Sequence, residues 1–214
     1  MKAGKASIGE RGRLAAAIGL LGACGLFVAL GVWQLARAEA QDARLASARA
    51  ALAAPLLDLQ REQVTARHAY RRAHGEGEFM PVQYFLQGRS DMGRSGYGAV
   101  AVLHTGGRHI LVERGFTPVA EGAAPAGRVR VEGVLVPVYR PPLRMGEPSG
   151  FVRPFLDPRA LARELNIELA PLVLHAKPPP LPPLKSAMHV GYAVQWFVFA
   201  LVAIVAALAL FRNR

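Results

Sequence analysis

The chain has 214 residues, of which 52% are hydrophobic, and a formal net charge of +11. The positive charge forms no basic stripe and is not interleaved with aromatic residues, which argues against a nucleic-acid-binding protein. A single cysteine, Cys24, excludes a secreted scaffold held together by disulfides.

The first predicted element is a membrane-spanning helix over residues 14–36, where no side chain is charged. A run of about 20 apolar residues crosses about 30 Å of hydrocarbon. Ala38-Glu39-Ala40 resembles a signal-peptide cleavage site, but this run is longer than the apolar core of a signal peptide. A lipoprotein processing site at Cys24 is also disfavoured, because apolar residues continue after it. We therefore expect a span that stays attached.

Residues 37–188 suffice for one domain, which the sequence predicts to be mainly β. A helix continues out of the membrane until Pro55, and strands begin after Tyr70. Apolar runs at 97–103 and 109–116 flank a short glycine-containing connection, which is a β-hairpin signal. A further strand is predicted over 129–138, with Gly133 at a bulge or a close approach of two backbones.

The last part of this domain is predicted to contain a short helix and a final strand. Asp157 is the expected N-cap of the helix, and Pro158 occupies its first position. The strand covers 171–175, a proline-rich loop covers 141–154, and an extended tether covers 178–183. The expected fold class is a membrane protein of α+β type, in which two transmembrane helices flank a mainly β extracytoplasmic domain with a short helix.

The second membrane-spanning helix is predicted over residues 189–211, which carry no charge from Val190 to Phe211. Basic residues precede the first span and follow the second, so residues 1–13 and 212–214 are expected to be cytoplasmic tails. Arginines just after the first span weaken this signal, although long domains are translocated despite their charge. We expect residues 37–188 to lie outside the cytoplasm.

Small residues within the spans indicate helix contacts. They recur at intervals of four at Ala15, Gly19 and Ala23 in the first span, and at Ala203 and Ala207 in the second. Such spacing lets two helix backbones approach closely. The spans are expected to pair with each other or with helices of a partner.

Motifs for hydrolytic, redox or phosphate chemistry are absent from the sequence: there is no CxxC, HExxH, GxSxG or phosphate-binding glycine loop. His104 and His109 flank the predicted hairpin connection and could bind a metal ion. Because no cysteine or carboxylate stands at a matching spacing, we interpret them as surface or turn histidines.

Polar residues at the outer ends of the spans are more informative. His189, Tyr192 and Trp196 share one helical face of the second span, and Trp33 and Gln34 end the first. They could form an interfacial aromatic belt. Alternatively, His189 could contact a metal or a haem iron as a neutral imidazole.

Three segments carry a joint pattern. Residues 30–37 are Leu-Gly-Val-Trp-Gln-Leu-Ala-Arg, residues 110–118 are Ile-Leu-Val-Glu-Arg-Gly-Phe-Thr-Pro, and residues 188–197 are Met-His-Val-Gly-Tyr-Ala-Val-Gln-Trp-Phe. In order, spacing and topology they resemble the surfeit locus protein 1 family, the assembly factors of haem-copper cytochrome c oxidase. Glu113, Phe116 and Met188 depart from an asparagine, a tryptophan and an asparagine of the family pattern.

The resemblance implies a non-enzymatic factor that assists the delivery or insertion of haem A into the catalytic oxidase subunit and binds haem A transiently. The expected haem-binding residues are His189, as the iron ligand, Tyr192 and Trp196. The expected partner-contacting or structural residues are Trp33, Gln34, Arg37 and Arg114. Both arginines could pair with haem propionates. For Arg114 we favour a structural role, since Arg-Gly at a strand end commonly closes a turn.

The expected location is a bacterial inner membrane with the main domain in the periplasm, and 22 Arg against 4 Lys suggest a GC-rich bacterium. Expected partners are membrane lipid and the catalytic oxidase subunit, with haem A synthase as a further candidate. Two alternatives stay open: a membrane scaffold that stabilises oxidase intermediates without binding haem, and a membrane-anchored extracytoplasmic enzyme. The lack of a nucleophile and base pattern counts against the enzyme.

Overall fold

A computed structural model describes residues 9–138, 150–178 and 186–212. In chain order the elements are α1 (Glu10–Ala53), β1 (Leu57–Asp58), a 3-10 turn (Ala66–His68), β2 (Arg72–Asp91), β3 (Arg94–Thr105), β4 (Arg108–Thr117), β5 (Arg128–Pro137), β6 (Val152–Arg153), α2 (Pro158–Leu165), β7 (Leu169–His175) and α3 (Ser186–Arg212). The expected α+β class is confirmed. The predicted loop over 141–149 and the tether from residue 179 onward lie outside the described residues.

The chain divides into two compact units. One consists of Met1–Leu45 and Pro182–Arg214, and we call it the helix unit. The other is Ala46–Leu181, which we call the sheet domain. Helix α1 ends at Ala53, so the predicted continuation of the first span up to Pro55 is confirmed.

Five strands of the sheet domain form a closed ring. Strand β2 pairs with β3, β3 with β4, β4 with β7, β7 with β5, and β5 returns to β2. Closure is possible because β2 is 20 residues long: Arg72–Glu78 pair with β5, and Glu78–Asp91 pair with β3. A register shift between Phe79 and Gln83 accommodates Pro81, which has no backbone N–H to donate.

Gly133 lies where β5 changes partners, from β2 before it to β7 after it. A Cβ atom at this position would lie 2.3 Å from the backbone oxygen of His175. Only glycine lets the two backbones approach so closely. The sequence predicted either a bulge or a close approach of two backbones at Gly133, and the structure shows the close approach.

The core lies on both faces of the central strands. Leu103, Val112 and Leu174 belong to one buried cluster. Their sequence neighbours Val102, Leu111 and Val173 belong to a second cluster, which also contains Leu161 of α2. Consecutive strand residues point to opposite faces, so continuous apolar runs such as Ile110-Leu111-Val112 reflect burial on both sides.

Two local predictions are confirmed in detail. The hairpin between β3 and β4 turns on Gly106 and Gly107, both with positive φ, as a tight two-residue connection requires. The carboxylate of Asp157 caps α2 by accepting a hydrogen bond from the backbone N–H of Arg159 at 3.0 Å. Pro158 occupies the first turn, and Asn166 ends the helix in a left-handed conformation.

Candidate functional site

Helices α1 and α3 are the two candidate membrane-spanning segments of the described chain. In the most apolar 18-residue stretch of each helix, only 17% is buried, as expected for helices whose outer surface faces lipid. Between them, Cys24 of α1 packs with Ala200 and Ala203 of α3. The lone cysteine is therefore a small packing residue.

The contact uses a different face of α1 from the one that the small-residue repeat suggested. Ala203 and Ala207 of α3 are buried, but Ala15 and Gly19 of α1 are exposed. Further along α1, a Cβ atom at Gly31 would lie 2.6 Å from the Phe197 ring. The repeat at Ala15, Gly19 and Ala23 thus does not form the α1 side of this contact.

His189 and Gln34 meet across the two helices. The Nδ1 atom of His189 lies 2.9 Å from Oε1 of Gln34, and both side chains are partly buried. An amide oxygen only accepts hydrogen bonds, so a ring that donates to it would carry a proton on Nδ1. In the tautomer with that proton alone, Nε2 would keep its lone pair, which is the form that ligates metals.

An aromatic cluster lies along α3 beyond this hydrogen bond. Trp196 stacks on Phe27 with ring centroids 5.7 Å apart, and Phe199 contacts both rings at 5.9 and 5.8 Å. Tyr192 is 48% exposed, although the sequence assigned it to the same face as His189 and Trp196. The structure thus joins His189 and Trp196 to α1 and leaves Tyr192 on the outer surface.

Trp33 and Arg37 form a cation–π pair on the exposed surface of α1. Trp33 is 52% exposed, and the guanidinium of Arg37 lies 5.5 Å from the centre of its ring, a cation–π contact. An amphipathic ring under a cation suits the boundary between hydrocarbon and headgroups. These two residues therefore differ from Gln34, which faces α3.

Arg114 lies in the sheet domain, and the expectation that it closes a turn is wrong. In the register of β3 with β4, Ala99 pairs with Gly115 and Val100 pairs with Glu113, so Arg114 is the extra residue of a β-bulge. Gly115 has a φ of 131°, a value that side-chain-bearing residues rarely adopt.

The bulge gives the Arg114 side chain its own contacts. Its guanidinium donates to Oε1 of Gln83 at 2.6 Å and lies 5.7 Å from the centre of the Phe79 ring. Burial lowers the pKa of Arg114. These contacts are internal to the domain, and the structural role that we favoured for this residue stays a prediction.

Sequence reasoning missed a polar cluster in which Glu113 and His175 are buried and Arg89 is partly exposed. Arg89 donates two hydrogen bonds of 2.8 Å to the Glu113 carboxylate, and Nδ1 of His175 lies 3.3 Å from Glu113 Oε2. Gly98 makes room for the pair, since a Cβ atom there would lie 2.8 Å from Glu113 Oε1. Two cavities of about 240 and 460 Å³ adjoin these three residues.

Burial makes His175 a source of pH-dependent stability. It lowers the pKa of His175 below 6.5, with Glu113 opposing and Arg89 reinforcing this effect. Below pH 6.5 the unfolded state therefore binds more protons than the native state, and acidification favours unfolding. We expect the unfolding temperature to fall between about pH 8 and about pH 5, and His175→Gln to remove part of that fall.

Thermal unfolding of the full chain in detergent at several pH values measures this effect. His74→Gln is the matched control, since it removes a histidine of the same domain that lies outside the cluster. Equal pH dependence in the wild type and in His175→Gln would contradict the assignment.

Among the described residues, no group of three or more His, Cys, Asp or Glu side chains could hold a metal ion. A model of the SURF1 family matches residues 21–201 of the chain. The match includes Gln34, Arg114 and His189. A comparison with curated proteins gives no match.

Proposed function

We propose, from the membership of this chain in the SURF1 family, that it presents haem A to the catalytic subunit of a haem-copper oxidase. The SURF1 family is associated with cytochrome c oxidase assembly. His189 would hold the iron, and the sheet domain would contact the oxidase subunit. The chain would act as a membrane chaperone and not as an enzyme.

The hydrogen bond between His189 and Gln34 carries this proposal. In the tautomer that donates from Nδ1, this hydrogen bond would orient the ring and leave Nε2 as the ligand atom. Haem iron is commonly held by a histidine nitrogen. The residues present fit the group, because His189 has an orienting partner and would offer Nε2 to the iron.

Aromatic side chains that could contact a large apolar ligand lie further along α3. The Phe27, Trp196 and Phe199 rings pack together about two helical turns beyond His189, and the exposed Tyr192 ring lies about one turn beyond it. When bound, haem A supplies the oxygen and electron-transfer chemistry of the mature oxidase. The chain itself only binds, orients and releases the group.

The number of ligands supports transient binding. Residues 1–45 and 182–214 of the helix unit contain one histidine, His189. A single axial ligand is easier to exchange for a histidine of the recipient than a pair would be. Arg37, exposed beside Trp33, is the cation of this unit that we assign to a haem propionate or to a lipid phosphate.

The proposed location is a bacterial inner membrane. Both termini would be cytoplasmic and the sheet domain periplasmic, because Arg11 and Arg13 precede the first span and Arg212 ends the second. Haem A synthase is a further proposed partner, since it would be the source of the group.

Purification in detergent from cells that make haem A tests the proposal. We expect the wild type to carry the absorbance of haem A, and His189→Ala to lose nearly all of it, because the iron loses its protein ligand. Gln34→Leu should weaken haem binding by about 10–100-fold, the usual cost of removing a partner that orients a ligating histidine. His74→Ala, in the sheet domain, is the matched control and should retain haem.

Three other outcomes of these experiments would contradict the proposal. A wild type that retains the catalytic oxidase subunit but no haem would support the scaffold alternative. Haem retained unchanged in His189→Ala would remove this histidine from the site. Turnover of a substrate by the full chain would instead support the enzyme alternative.

A further inference from the structure

His104 and His109 stand directly opposite each other on the β3–β4 hairpin. They pair in register, and their ring centroids lie 4.9 Å apart with the ring planes inclined by 30°. Two imidazoles that face each other across a hairpin are a natural pair of ligands for a borderline metal ion. The sequence placed these histidines at the connection but did not show that their rings meet.

The backbone that carries the two rings is held firmly. The loop is only Gly106 and Gly107, and a Cβ atom at Gly106 would lie 2.4 Å from the backbone oxygen of Gln60. Beside His104, the hydroxyl of Thr105 donates to the backbone oxygen of Glu76 at 2.8 Å. Preorganised ligands lose less entropy when a metal ion binds.

The separation of the rings suits a shared ion. At metal–nitrogen distances of about 2.0–2.1 Å, an ion can join nitrogens up to about 4 Å apart. The ring centroids are 4.9 Å apart and His104 is exposed, so its ring has room to turn toward an ion shared with His109. On its other side, His109 lines a cavity of about 160 Å³.

We propose that His104 and His109 form a two-histidine site for a divalent transition-metal ion such as Zn²⁺ or Cu²⁺. Because no third side chain of the described residues converges on this pair, water or a residue of a partner protein completes the coordination. Imidazole ligands select Zn²⁺, Cu²⁺ and Ni²⁺ over Mg²⁺ and Ca²⁺. This site is independent of the proposed haem ligand His189, which belongs to the helix unit.

The test uses the full chain in detergent, free of affinity tag and stripped of metal. Competition with a chromophoric chelator measures Zn²⁺ affinity, and electron paramagnetic resonance of added Cu²⁺ counts the imidazole nitrogens on the ion. We expect one site per chain and two such nitrogens. His104→Gln and His109→Gln should each leave one nitrogen and weaken Zn²⁺ binding by at least about tenfold.

His74→Gln and His189→Ala are the controls and should leave the affinity unchanged. The metal-free unfolding temperature of each hairpin variant shows that the fold is intact. Zn²⁺ affinity unchanged in the double variant of His104 and His109, or lost in either control, would overturn the proposal. Loss of haem from His189→Ala with Zn²⁺ binding intact would show that the two sites are separate.

Discussion

Replacement of Gly133 by alanine should destabilise the sheet domain by about 3 kcal/mol, the upper part of the range for overpacked sites. The added Cβ would lie 2.3 Å from the backbone oxygen and 2.8 Å from the backbone carbon of His175. A flexible side chain could move away, but a backbone carbonyl within a paired strand cannot. Strand β5 is also held on its other side by β2, so the overlap must separate β5 from β7.

Thermal or urea unfolding of the full chain, followed by circular dichroism of the β signal, measures this loss. Glu132→Ala is the matched control, because Glu132 is the preceding residue of the same strand and its side chain is exposed. It should change stability by no more than about 0.5 kcal/mol. If Gly133→Ala were as stable as Glu132→Ala, the close approach of β5 and β7 would be wrong.

Replacement of Gly31 by leucine should separate α1 from α3 and strongly reduce the haem binding that we propose for His189. The Phe197 ring lies over this glycine, with ring atoms 2.6 to 3.0 Å from the position of a Cβ. A leucine side chain needs the volume that the ring occupies. Displacement of α3 would then break the hydrogen bond between His189 and Gln34, one turn further along α1.

We expect the haem content of Gly31→Leu to fall by about 10–100-fold, as for other losses of a ligand-orienting partner. Absorbance of the detergent-purified protein measures it. Gly22→Leu is a close control, since Gly22 lies in the same span and nothing comes within 4 Å of its added Cβ. Equal haem loss in both variants would mean that any bulky residue in the span disturbs the protein, and that the packing on Phe197 is not the cause.

Local features of the sheet domain could be predicted from the sequence because their causes are local. Two glycines between apolar runs specify the β3–β4 hairpin, and Asp157 before Pro158 specifies the start of α2. Closure of the strand ring could not be predicted, since it depends on pairing between β2 and β5, which are far apart in the chain. The cluster of Glu113, Arg89 and His175 was missed for the same reason.

The helix unit shows a different limit of sequence reasoning. His189 and Gln34 were singled out because polar residues within an apolar run need a partner, and the structure joins them. The face of α1 that contacts α3 was not found, because a span that is apolar on all sides carries no periodic signal. Small residues alone suggested Ala15 and Gly19, whereas close packing occurs at Cys24 and Gly31.

Closure of the strand ring has a consequence for how partners can reach the sheet domain. An open sheet exposes a row of unsatisfied N–H and C=O groups at its edge, on which another chain can add a strand. In the described part of this domain, β2 is paired on both sides at Ala73 and at Phe85, and β5 and β7 pair with each other. Recognition by strand addition, and aggregation by the same route, are therefore disfavoured. A partner would instead contact side chains and loops on the outside of the ring. Residues there can change without loss of the fold.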